Sequence, residues 1–312
     1  MLRSMNSAIS GMQSFQTMLD VIGNNIANVN TIGFKAGRAD FADVLSQTIS
    51  GASAPSATGL GGMNAQQVGL GVKVGAIQTM FTQGADQTTG NPTDLAIQGS
   101  GLFVVSPNND TPASGSSAPT TSNAPLYYTR AGNFSVDASG NLVLPNGMVA
   151  VGVAGGTWPS GTTPVLQSVN LKQFFTQAQA ASGSSIPASP VTISSSPNVQ
   201  IGNDGSINVT ASDGNQYTIG HLALATVSNP SGLEKIGDNV YQTSGNSGAP
   251  TFEQPGANNS GTLMSGTLEM SNVDLTNEMA NMLVAENGYA ANSHVIGADN
   301  TILTALMNMK NS

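Results

Sequence analysis

MLRSMNSAISGMQSFQTMLDVIGNNIANVN, residues 1–30, is the stretch on which the fold turns. Met5, Met12, Leu19 and Ile26 recur every seven residues, and Ala8, Phe15, Ile22 and Val29 form a second row offset by three. Two apolar rows at that spacing are the seam of an amphipathic helix that must lie against another helix. Gly11 and Gly23 weaken such a helix by about 1 kcal/mol each relative to alanine. Asn24, Asn25, Asn28 and Asn30 crowd its end, and Gly33 is a suitable stop just beyond.

The partner is found at the other terminus. Between Asn272 and Lys310, Leu275, Met282, Tyr289, Ile296 and Leu303 are again seven apart. Met279, Leu283, Val295, Ile302 and Leu306 widen that row into a stripe, which Asn292, Ser293, Asp299 and Asn300 interrupt. Asn272 or Asp274 can cap the helix, with Glu278 in its first turns. The chain therefore reads as α+β: paired N- and C-terminal helices, 1–32 and 270–312, in a coiled-coil-like inner domain, with an all-β domain inserted between them.

Residues 33–70 read as an extended linker, Gly/Ala/Ser-rich after a short helical turn near Asp40–Gln47. The β-domain takes 71–154 and 191–265. Val72, Val74 and Ala76 alternate with Lys73 and Gln78. Turn signals stand at 138–141, Asn146-Gly147, Asp204-Gly205 and Asp213-Gly214. Residues 107–124 read as a mobile surface loop. Residues 155–190 read as an excursion from the sheet, with a short helix carrying Phe174 and Phe175.

Composition narrows the function. Charged residues are 8% of 312, against about 25% in average usage. The net charge is −9 and the eight Lys plus Arg are scattered, which argues against nucleic acid and anionic membrane surfaces. There is no cysteine, hence no disulfide or thiolate chemistry. No apolar run is long enough to span a membrane. Asn6, Ser7, Ser10 and Gln13 break any signal-peptide core, so export would keep the N-terminus.

A search for catalytic or metal-binding residues returns little. His221 and His294 are the only histidines, and neither has a second at metal-ligand spacing. No G-x-S-x-G elbow or phosphate-binding loop occurs. Gly69-Leu70-Gly71 precedes a strand, and Gly99-Ser100-Gly101 reads as a bulge or a close backbone approach. The expectation is a structural protein with no catalytic residues, metal or cofactor. Met1, Met5, Met12 and Met18 in the first helix, and Met279, Met282, Met307 and Met309 in the last, suit an adaptable interface.

SAISGMQSFQTMLDVIGNNIANVNTIGFKAGRADFADVL, including Asn24, Asn25, Ala27, Asn28, Gly33 and Phe34, resembles the N-terminal signature of bacterial flagellar rod, hook and hook-associated axial proteins. SGTLEMSNVDLTNEMANMLVAENGYAANSHVIGADNTILTALMNMK resembles their C-terminal signature, and GLGVKVGAIQTMFTQGADQTTGNPTDLAIQGSGLFVV their sheet core. The resemblance implies an axial protein whose terminal helices stack into a tube around the export channel. It implies a homopolymer at the flagellar hook or basal body, outside the cell, exported without cleavage by the flagellar type III apparatus. Rod and hook-associated junction proteins and a hook cap would be its partners. Phe41 and Leu45 match an export-recognition element of early substrates, with two residues on one helix face as the plain alternative. Residues 44–49 and 69–84 look more like the hook branch than the distal rod. The function implied is a helical tube acting as a universal joint, with a distal rod subunit as the alternative within the family. A secreted β-rich adhesin or hydrolase is the alternative outside it.

Overall fold

A computed structural model describes residues 2–54, 61–107, 125–155, 158, 164–180, 199–257 and 260–310. The loop expected at 107–124 and the strand expected from residue 191 to 198 lie almost wholly outside them. The chain divides into two compact units. Unit 1 comprises Met1–Asn28, Ala36–Met80 and Val273–Ser312; unit 2 comprises Val29–Lys35 and Phe81–Asn272.

In unit 1, α1 (Leu2–Ala27) and α3 (Leu275–Lys310) pack side by side. Four contacts fix the pairing as antiparallel and in constant register. Ser4 Oγ donates to Asp299 Oδ2 at 2.7 Å. Gly11 faces the Asn292 amide, Gly288 faces the Phe15 ring, and Asn25 Nδ2 donates to Glu278 Oε1 at 3.0 Å. Each step forward along α1 is matched by an equal step back along α3. Asp274 caps α3, its Oδ1 accepting from the N–H of Thr276 at 2.9 Å and of Asn277 at 3.3 Å.

Half of the described residues in the stretch expected as linker are strand. Gly37–Asp43 pairs antiparallel with Val72–Thr79, through a bulge at Asp40/Phe41. Ser46–Ser50 pairs with Gln66–Gly69. The helical turn expected near Asp40–Gln47 is replaced by these ladders, because Val72–Thr79 offers a full set of backbone partners that a local pattern cannot reveal. A lone two-stranded ribbon is marginal in water. Here α1 supports it: Phe15 meets Phe41 edge to face at 6.0 Å between centroids, and Ser10 Oγ accepts from Val72 N–H at 3.3 Å.

Unit 2 is built on a 13-stranded sheet. Its main path runs Val199–Ile201, Ser206–Thr210, Gln216–Leu222, Val149–Ala154, Leu102–Ser106, Tyr127–Thr129, Val240–Gln242 and Glu234–Gly237, all antiparallel. Two buried clusters hold it together. One gathers Leu95, Phe103, Phe134, Phe174 and Ile207, and the other Leu102, Tyr128, Val151 and Tyr241. Phe174 and Phe175 come from α2 (Leu171–Ala180), and Gly220 leaves the space against which the Phe174 ring lies. The described part of 155–190 thus belongs to the core and is no excursion from it. Two short ladders, Leu95–Gln98 with Thr262–Ser265 and Asp86–Thr88 with Thr267–Glu269, bring the end of the unit back to its start.

Candidate assembly surface

The surface begins with what α1 and α3 bury against each other. Along α3, the residues that are not exposed are Glu278, Met282, Ala285, Gly288, Asn292, Ile296 and Asp299, alternating by three and four. Along α1, Ala8, Gly11, Ser14, Ile22 and Asn25 are buried. The interface within the chain is therefore made largely of small and polar side chains, with Ile22, Phe15, Met282 and Ile296 between them. A Cβ on Gly11 would lie 2.7 Å from Asn292 Nδ2, and one on Gly288 would lie 2.5 Å from the Phe15 ring. Gly11 is thus a place of close approach, not a flaw in the helix. Gly23, with open space around it, has no such role.

This corrects the seam read from the sequence. Ala8 and Ile22 are buried as that seam requires, but Met5, Met12, Phe15, Leu19, Ile26 and Val29 are only half-buried. On α3 only Met282 and Ile296 of the expected row turn inward. Leu275, Met279, Tyr289, Leu303 and Leu306 are exposed. So are Leu283 at 60%, Val284 at 63% and Met307 at 67%. A single helix pair can cover only one stripe of each member, and the stripe covered here mixes small, polar and a few apolar side chains.

The apolar exposure extends to the ribbon, where Phe41, Leu45, Ile49, Val68 and Ile77 are exposed, Leu45 at 80%. Phe41 lies in a strand and Leu45 just beyond it, so the two do not share a helix face. Among the described residues, every exposed large apolar side chain except Ile236 belongs to unit 1. Exposed apolar surface concentrated in one unit in this way is the kind that marks a protein-interaction site.

The asparagine signature joins these elements. Asn25, buried near the end of α1, donates from Nδ2 to Gly37 O at 2.8 Å and accepts at Oδ1 from Gly37 N–H at 2.9 Å. Its amide thus completes the backbone pairing of a strand end. Asn28 Nδ2 donates to Asn24 O at 2.9 Å, while Asn24 and Ala27 are themselves exposed. The helix ends at Ala27, so Gly33 is not its stop. Gly33 adopts φ +67°, and a Cβ there would sit 2.5 Å from Ala131 N. The glycine is required by this close backbone approach in unit 2.

Unit 2 holds a buried charge cluster that the sequence pattern did not disclose. Glu269 accepts from Lys35 Nζ at 2.5 Å, Arg130 Nη1 at 3.0 Å and Gly84 N–H at 2.9 Å. All three charged side chains are almost wholly excluded from solvent. Burial pulls the Lys35 ammonium below its ordinary value, and the Glu269 carboxylate opposes that pull. Phe34 is buried beside it, with Lys235 Nζ 4.2 Å above its ring. Partners separated by 234 and 139 residues give no local signal.

His221 lies buried in the strand Gln216–Leu222, its Nδ1 without a hydrogen-bond partner. Burial lowers its pKa, with Asp204 acting weakly the other way. A cavity of about 580 Å³ in unit 2 is lined by Asn30, Asn133, Asn146 and Asn239 together with Ile32, Leu144 and Pro145, and Asp238 is the titratable side chain among its described lining residues. Among the described residues no His, Cys, Asp or Glu cluster is placed to hold a metal ion, and no helix is long and apolar enough to cross a membrane.

Family profiles match three parts of the chain. Residues 5–35 match the flagella basal body rod protein family, and 264–309 the C-terminal region of flagellar basal body rod FlgEFG proteins. Residues 96–209 match the D1 domain of flagellar hook proteins FlgE/F/G. The flagellar basal-body rod protein FlgG of Bacillus subtilis is 42% identical over 311 residues, 99% of this chain and all of the relative. The chain belongs to the flagellar hook and rod family. Hook proteins are also similar to it. FlgE of Borreliella burgdorferi is 29% identical over the full length of both. FlgE of Helicobacter mustelae is 49% identical over 152 residues, 49% of this chain and 31% of that protein. The hook and rod family is a structural component of the flagellum. Its N-terminal profile covers most of α1 and its C-terminal profile falls on α3, the helix with the most exposed large apolar side chains among the described residues.

Proposed function

We propose that this chain is a subunit of the flagellar hook. Copies polymerise through unit 1 into a helical tube that encloses the export channel and joins rod to filament as a universal joint. The observation that carries the assembly reading is the exposed apolar surface of α3, which is spread over more than one face of the helix and is left uncovered by the described residues of its own unit. Neighbouring copies would bury it, at about 25 cal/mol per Å² of apolar surface. The 49% identity to a hook protein over half the chain supports hook over rod. A specific observation favours a second reading, the distal rod. The rod protein of Bacillus subtilis aligns over its whole length with 311 residues of this chain. Rod and hook-associated junction proteins, a hook cap and the export apparatus would be partners in either case.

The test of assembly is Leu283→Asp in the full chain. The expected result is a folded monomer by circular dichroism that forms no sedimenting tubes where the parent does. Tubes of normal yield from the variant would refute assembly through α3. Antibody labelling of isolated hook–basal bodies separates the two locations. Label along the hook supports the first reading, and label confined to the rod replaces it with the second.

A further inference from the structure

The chain has thirteen methionines and no cysteine, so no thiol competes for an oxidant. Its thioethers are placed unevenly. Met63, Met80, Met279, Met307 and Met309 are the exposed ones among the described residues, and all five belong to unit 1. Met148, Met264 and Met270 of unit 2 are half-buried. On α3 the exposure is 51% at Met279, 67% at Met307 and 75% at Met309. These sulfurs lie among Leu283, Ile302 and Leu306 on the exposed apolar surface of α3 assigned above to neighbouring copies.

We propose that Met279, Met307 and Met309 are oxidation sites that decide whether a free subunit can enter the polymer, an inference that rests on the assembly reading. A peroxide transfers one oxygen to the thioether Sδ. The O–O bond breaks, an S–O bond forms, sulfur is oxidised by two electrons, and the peroxide leaves as water or alcohol. The product sulfoxide is a strong dipole with acceptors and no donor. On the free chain it is solvated. On a covered stripe it loses that solvation and meets only apolar partners, which raises the concentration needed for assembly about tenfold or more. Once neighbours cover the stripe the same sulfurs are shielded, so the modification acts on subunits before they are incorporated.

The experiment uses the purified full-length chain and hydrogen peroxide. Untreated chain, peroxide-treated chain and a treated Met279→Leu/Met307→Leu/Met309→Leu variant are compared by sedimentation. Oxidised sites are mapped by peptide mass spectrometry, and thermal melts check that unit 2 is intact. The expected result is sulfoxide at the three α3 positions, an assembly threshold raised about tenfold or more in the treated parent, and an unchanged threshold in the treated variant. Normal assembly of the oxidised parent would overturn the proposal, as would equal loss in the variant. Tubes failing to form from untreated chain would instead overturn the assembly reading, and the proposal with it.

Discussion

The two units spend their apolar residues in opposite ways. Unit 2 packs two clusters, with Leu95, Phe103, Phe174, Ile207 and Tyr241 almost fully excluded from solvent. Unit 1 buries little that is apolar, chiefly Ala8, Ile22, Ala36 and Ala285. Its larger apolar side chains are half-buried or exposed. Helices held by small and polar contacts gain little from burial, since stability scales with apolar area removed from water. Unit 2 thus carries the buried apolar core, and unit 1 carries nearly all the exposed apolar surface among the described residues. Under the assembly proposal, close packing within a chain and cohesion between chains would fall to different parts of one sequence.

Four measurements would break or sharpen this contrast. The largest effect is expected from Val284→Asp, which should abolish polymer while leaving the melting of unit 2 where it was; a coupled loss of both would collapse the distinction. Next is Glu269→Gln. Removing one partner from a buried ionic group costs about 3–5 kcal/mol. Denaturant unfolding of unit 2 should shift accordingly, with the helical signal of unit 1 little changed. Gly288→Ala should be milder. It pushes a methyl into the Phe15 ring, and overpacking of this kind costs about 1–3 kcal/mol. The loss should be read in helicity at 222 nm and not in unit 2.

The smallest effect concerns pH. His221 has a folded-state pKa below its unfolded value of 6.5, so the unfolded chain takes up a proton first as pH falls. Unit 2 should therefore lose stability as the pH drops from 6.5 toward the folded pKa, and not above 6.5. His221→Gln should flatten that part of the profile of melting temperature against pH. An unchanged slope would mean that other groups carry it.

Both terminal helices and most strands of the β-unit were legible in the sequence, because period and turn chemistry are local. The α1–α3 interface was not. A reading that scores apolar rows passes over Gly11, Asn292 and Asp299, although these make the contact. It assigned Leu275, Tyr289 and Leu303 to a partner within the chain, whereas they face outward. The ribbon of 37–50 was missed for a related reason. Asp40, Asp43 and Gln47 disfavour a strand by themselves, and the ladder that overrides them comes from residues 66–79. Gly33 gave the right residue with the wrong cause, since a helix stop and a backbone close approach both call for glycine. The charge cluster of Lys35, Arg130 and Glu269 lay beyond any pattern, because nothing local links its members.

That cluster also orders events in time. A chain delivered from its N-terminus brings Lys35 and Arg130 into the open long before Glu269. Until the carboxylate arrives, neither cation can be buried without a counter-charge, and an unpaired buried charge is too costly to hold. The strand Thr267–Glu269, on which the carboxylate rides, is missing for the same interval. In a chain delivered that way, the charge cluster of unit 2 would be completed only once Glu269 has followed, just ahead of the final helix.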